Sequence, residues 1–130
     1  MSSGFTRGRM DSFLEGHSRL PIKAALLLQD GFPGIGNWMA DEILWRAGLK
    51  PSTRAGRLGE AARERLWKEI RFVCREALKK IGKDFSDPPA DWLFHERWGR
   101  GGQCPKHRVV LARSVIGGRT TAWCARCQTG

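Results

Sequence analysis

Four residues near the C-terminus carry the clearest chemistry in the sequence: Cys104-x-x-His107 and Cys124-x-x-Cys127, with sixteen residues between the pairs. Two residues between ligands let one tight turn aim both donors at a single tetrahedral ion. Sixteen residues suffice for an out-and-back hairpin that returns the second pair beside the first. All four positions are filled by the protein, so the pattern predicts one structural Zn2+ with no open position for water. Histidine in place of a fourth cysteine keeps the tetrahedron and supplies one less negative ligand. The competing reading is two unrelated pairs with a histidine kept for solubility, and it needs the spacing to arise by accident. Cys74 stands apart on an apolar helix face and reads as a small buried hydrophobe.

A second constellation is Phe32-Pro33-Gly34-Ile35-Gly36-Asn37. Glycines let an anion approach the main chain, and the start of the following helix supplies partial positive charge. Asn37 adds a side-chain amide donor, which makes Gly34, Gly36 and Asn37 candidate phosphate contacts. Alone, a Pro-Gly-x-Gly turn suits a plain helix connector equally well. Charge tips the balance. The chain carries 23 Lys and Arg against 13 Asp and Glu, a formal net charge of +10. Glu96 is the last acidic residue, and beyond it come Arg97, Arg100, Lys106, Arg108, Arg113, Arg119 and Arg126. Arginine suits phosphates and base edges better than a point-charge lysine does. Such a balance points to a polyanionic partner, DNA or RNA first, with a solubility surface as the bland alternative.

The elements that must position these residues are mostly helical. A short helix is expected over 10–15, and Pro21 opens another over 22–29. The glycine turn ends it, and Asn37 is expected to cap a helix running to about 47, with Met39, Ile43, Leu44 and Ala47 on one face. Gly48 and Pro51 close that helix, and 50–59 is a connector. The clearest helix spans 60–81, where Leu66, Ile70, Val73, Cys74, Ala77, Leu78 and Ile81 repeat at three- and four-residue steps. The pattern fails over 82–90, and one or two helical turns follow over 91–98. Strands are expected over 109–115 and 119–123, joined at Gly117-Gly118. No apolar run approaches the ~20 residues of a membrane span, and no signal-like segment opens the chain, so an intracellular protein is expected.

These residues together resemble one family. Pro21-Ile22-Lys23, Leu27-Leu28-Gln29, Gly34-Ile35-Gly36-Asn37 and Ala40-Asp41-Glu42-Ile43-Leu44 resemble the helix–two-turn–helix signature of the formamidopyrimidine-DNA glycosylase and endonuclease VIII family. Arg97-Trp98-Gly99-Arg100, Gly117-Gly118-Arg119-Thr120-Thr121 and Cys124-x-x-Cys127-Gln128 resemble its C-terminal zinc finger. The resemblance runs in order from about Phe5 to Gln128. It implies that Asn37 and Arg119 grip phosphates around a flipped, damaged nucleotide in double-stranded DNA, with Lys23 on the same DNA-binding surface. It departs from the family at His107, where a cysteine is usual. It also departs at the start, where a catalytic Pro-Glu pair and a β-rich domain are expected and Ser2-Ser3 stand instead. The segment 85–93 is short for the family's lesion-capping loop.

The expectation is a mainly α chain with a small β element. It divides into a linker over 1–20, a helix–two-turn–helix DNA-binding domain over 21–98 and a zinc-finger β-hairpin over 99–130. It is read as a monomeric DNA-binding module of a base-excision repair glycosylase, its catalytic domain separate or missing, and no catalytic residue is assigned. Two other functions fit parts of the pattern. One is a residual abasic-site lyase using Lys23 or the N-terminal amine. The other is an RNA- or ribosome-binding zinc ribbon.

Overall fold

The computed structural model describes residues 6–84 and 88–129, with the side chains of 80–84 excepted. Helix α1 (Arg7–Gly16) begins earlier than the apolar pattern suggests, because the Thr6 hydroxyl accepts from the Arg9 N–H and caps it. Its Met10 and Leu14, one turn apart, are fully buried. The segment expected as a linker therefore contributes to the core. Helix α2 (Ile22–Leu26) is shorter than expected. Its last residues are drawn into turns, with Leu28 N–H donating to Ala25 O and Phe32 N–H to Leu28 O.

Helix α3 (Asn37–Ala47) lies at the centre. Gly36, with extended backbone, is the cap residue, and Asn37 is the first residue inside the helix, one position from the expected role. Gly48 ends α3 at φ 72°, the left-handed conformation glycine adopts most readily. Helix α4 (Glu60–Asp84) runs past Gly82, where a break was expected, because a lone glycine inside a long helix weakens it without stopping it. Leu66, Ile70, Val73 and Cys74 pack against α3, but Leu78 is 65% exposed. With eleven residues against twenty-five, α3 is too short to cover the far end of α4. Ile81, and 85–87 of the short segment before the ribbon, fall outside what is described.

A 3-10 turn, Leu93–Glu96, leads into the ribbon of β1 (Ala112–Ile116) and β2 (Arg119–Trp123), which pair antiparallel. Strand β1 starts later than expected because 109–111 pair elsewhere. Val109 O accepts from Cys104 N–H and Leu111 N–H donates to Gly102 O, which closes the first ligand turn instead. Ile116 pairs with Arg119, so Gly117-Gly118 is a two-residue loop, with φ 61° and 76° as a type I′ turn requires. A Cβ on Gly117 would lie 2.9 Å from the Ala24 Cβ of α2, whereas one on Gly118 would meet open space. Gly117→Ala is therefore expected to lower the thermal midpoint further than Gly118→Ala. Left-handed strain of about 1–2 kcal/mol is common to both, and the excess measures hairpin-tip packing.

The buried apolar residues form two clusters with α3 between them. One joins α1 to α4 through Ile22, Phe32, Ile43 and Leu44. The other joins α3 to the ribbon through Trp45, Leu93, Cys104, Leu111, Ala122 and Cys124.

Candidate nucleic-acid interface and metal centre

The two ligand turns meet. One donor atom from each of Cys104, His107, Cys124 and Cys127 falls within 4.8 Å of the others. Cys104 Sγ lies 3.5 Å from Cys127 Sγ and 3.9 Å from His107 Nδ1, and Cys124 Sγ lies 4.0 Å from the same nitrogen. A tetrahedral ion with zinc–ligand bonds of 2.0–2.3 Å sets its donors roughly 3.4–3.8 Å apart. With His107 Nδ1 at 2.9 Å from Cys127 Sγ, the observed separations bracket that spacing, and the Cys3His set is consistent with Zn2+. The Trp45 indole N–H donates to Cys104 Sγ at 3.3 Å, and Cys127 N–H to Cys124 Sγ at 3.4 Å. Such outer contacts orient thiolate ligands and disperse their charge. Burial raises the Cys104 thiol, but N–H donors from His107, Trp45 and Lys106 outweigh it and bring it down to about 6. Burial and the adjacent sulfurs push Cys127 up to about 12. One sulfur ionises at its neighbour's expense, a conflict that a divalent cation removes.

The ribbon is fastened to a single stripe of α3. Asn37, Asp41 and Trp45 follow at four-residue steps, and Leu49 continues the row past the helix end. Asn37 Nδ2 donates to Thr120 O at 3.0 Å, Asp41 Oδ2 accepts from Ala122 N–H at 3.2 Å, and Trp45 reaches Cys104. Gln128 Nε2 then donates to Leu49 O at 2.9 Å, while Gln128 Oε1 accepts from Cys124 N–H at 2.8 Å. The hairpin tip thus sits at the N-terminus of α3 and the metal centre at its C-terminus.

Within this stripe Asp41 is fully buried and holds two cations. Lys23 Nζ donates to Asp41 Oδ1, and the Arg97 guanidinium lies 2.9 Å from Asp41 Oδ2. Lys23 also donates to Thr121 Oγ1 at 3.0 Å, and Arg113 closes over the loop by donating to Arg97 O at 2.7 Å. Burial pushes the Lys23 ammonium down from its ordinary value. Asp41 offsets this in part, and the positive charges of Arg97 and Arg119 add to the lowering. Lys23 was expected as a DNA contact and as a candidate amine nucleophile. Its side chain is 0% exposed and committed to Asp41, so it presents no ammonium at the surface. Glu42, the next residue, is buried on the other side. It accepts from Leu93 N–H and Phe94 N–H and pairs with Arg46, and burial holds its carboxyl above the usual range.

The glycine turn is bracketed by Gln29. Its Oε1 accepts from Gly34 N–H at 2.9 Å and its Nε2 donates to Ile35 O at 3.1 Å. The Gly34 N–H is therefore occupied, contrary to the expected open donor, although a Cβ there would meet nothing within 4 Å. Gly36 offers no side chain to cap α3, so the first-turn N–H groups stay uncovered beside Asn37. Arg119 and Thr120 are exposed at the hairpin tip, one and two residues past Gly118. The bond from Asn37 to Thr120 O sets that tip against the open turn. Sequence reasoning missed Asp41, Arg97, Trp45 and Gln29 as the positioning groups. The one local signal was an acidic pair, Asp41-Glu42, inside an otherwise apolar helix.

Comparison with known proteins places this geometry. Residues 5–87 match the family model for the formamidopyrimidine-DNA glycosylase H2TH domain. The chain is 35% identical over 139 residues to a formamidopyrimidine-DNA glycosylase of Parasynechococcus marenigrum (strain WH8102), across 98% of this chain and 48% of that protein. It superposes on the crystal structure of the MutM (Fpg) protein from Thermus thermophilus with a TM-score of 0.77 and 32% identity, across 98% of this chain and 51% of the other. A MutM structure in complex with DNA containing carbocyclic 8-oxo-G gives a TM-score of 0.79 at 26% identity, across 97% and 47%. The chain spans about half the length of the relatives it matches. The helix–two-turn–helix, the Cys3His ribbon that follows it and these matches together identify the chain as a member of the formamidopyrimidine-DNA glycosylase family, corresponding to its helix–two-turn–helix and zinc-finger region.

Proposed function

We propose that this chain grips the backbone of damaged or abasic duplex DNA through two adjoining contacts, inside the cell and as part of base-excision repair. The first contact is the uncapped start of α3 at Gly36 and Asn37, with Gly34 leaving room beside it for a DNA backbone to approach. The second is Arg119 at the hairpin tip. The observation that carries the reading is the 3.0 Å hydrogen bond from Asn37 Nδ2 to Thr120 O, which brings both contacts to one end of α3. An amide nitrogen carries two hydrogens. With one engaged by Thr120, the second is left for a phosphate oxygen, and the uncapped N–H groups of α3 face the same anion. The ion of the ribbon is Zn2+ in a structural role, holding the hairpin rigid so that Arg119 projects at a fixed height. The MutM relative bound to 8-oxo-G-containing DNA supports the choice of partner.

Arg119→Ala should weaken binding to an abasic-site duplex, measured by fluorescence anisotropy, and leave the thermal midpoint nearly unchanged. Asn37→Ala should weaken it too, with a small drop in midpoint from the lost bond to Thr120. Arg119→Ala should also reduce the slope of log K against log salt by about 1, whereas Asn37→Ala, which removes no charge, should leave the slope nearly unchanged. Wild-type affinity in both variants would sink the reading.

A further inference from the structure

Three cations crowd the turns that carry the metal ligands: Lys106 between Cys104 and His107, Arg108 just after, and Arg126 between Cys124 and Cys127. Convergence of the four ligands sets these turns side by side, and all three residues are exposed. A Cys3His zinc centre carries one net negative charge, less than the three cations bring to its two turns. Lys106 rests its ammonium 5.0 Å from the Trp45 ring centre. The side chains of Arg108 and Arg126 make no hydrogen bond or ion pair among the described residues, although Asp91 and Glu96 line the same recess as Arg108.

Arg108 carries a second signal. Its φ of 58° is the only positive value at a non-glycine residue among those described. Glycine would hold that backbone without strain, so the ligand turn by itself gives no reason for arginine there. A side chain kept against its backbone preference, exposed and unpaired, is the kind of outlier that points to a use outside the fold.

We propose that Lys106, Arg108 and Arg126 form a separate backbone-binding patch for nucleic acid at the metal end of the ribbon. The inference rests on the duplex-binding reading above and extends it. Arg119 occupies the opposite end of β2, and five strand residues span about 16 Å. The patch thus reaches phosphates that Asn37 and Arg119 do not, and lengthens the footprint along the duplex. The contacts proposed for the three cations are to phosphates, so the patch adds affinity without reading sequence.

The test uses the zinc-loaded chain and a labelled abasic-site duplex, titrated across a range of salt. Arg108→Gly should keep or raise the thermal midpoint while lowering the salt slope by roughly 0.9, the value of one phosphate contact. A Lys106→Gln/Arg126→Gln double variant should lower it by roughly 1.8 with the ligands untouched. If Arg108→Gly fails to fold, the double variant decides alone. Wild-type affinity and slope in these variants, while Arg119→Ala weakens binding, would overturn the patch and leave the proposed function standing. Absence of salt-dependent duplex binding by the unaltered chain would overturn both.

Discussion

Asp41→Ala should destabilise the zinc-loaded chain by about 3–5 kcal/mol, the usual cost of removing one partner from a buried ion pair. Asp41 and Lys23 are both 0% exposed and Arg97 is 4% exposed. Loss of the carboxylate leaves two cations in the interior with no counter-charge. It also strips the Ala122 N–H of its acceptor, so the centre of β2 loses its tie to α3. Lys23→Met makes the contrast. Arg97 still neutralises Asp41 in that variant, and a flexible apolar chain of similar length fills the space, so the loss should be markedly smaller. Urea unfolding of the two variants measures the asymmetry. Equal losses would mean that Asp41 serves only one cation. A loss below about 1 kcal/mol for Asp41→Ala would mean that the interior tolerates the bare charges.

Cys124→Ala, or removal of the ion by chelation, should unfold the ribbon and leave much of the helical body intact. In small zinc domains metal binding supplies folding free energy on the order of 10 kcal/mol. The second apolar cluster is small, and two of its six buried members, Cys104 and Cys124, are ligands. Helices α1 to α4 share the other cluster and do not depend on the ion. Circular dichroism should therefore keep most of its helical signal, while Trp45 fluorescence shifts as the indole N–H loses Cys104. DNA binding should fall further than in Arg119→Ala, because the whole tip loses its position. Full loss of helical signal on chelation would show that the ribbon also holds the helical body together.

Much of this is legible in the sequence, and the reasons differ from place to place. The metal centre is readable because ligand chemistry needs particular residue types at particular spacings, and four side chains satisfy it locally. Helix α4 is readable because its apolar repeat is long, while its end is not. Burial of Leu78 depends on how far α3 reaches, which periodicity does not encode. Strand β1 is expected too early because 109–111 look like strand, and their pairing with 102–104 is decided by the ligand turn. Lys23 misleads for a plainer reason. A lone lysine in an apolar helix reads as surface charge, whereas its partner, Asp41, lies eighteen residues away across the turn. Asn37 and Arg119 stand out individually. What joins them, the bond to Thr120 O, is a main-chain contact that no residue type announces.

In the proposed function the zinc-stapled ribbon and the α3 turn act as one grip on duplex DNA. The most direct test is affinity for an abasic-site duplex across a range of salt, before and after chelation of the ion. The zinc-loaded protein should show a steep salt dependence reflecting several phosphate contacts. After chelation the slope should be shallower, with Arg119→Ala no longer changing affinity. Undiminished binding after chelation, with Arg119→Ala still harmful, would contradict it.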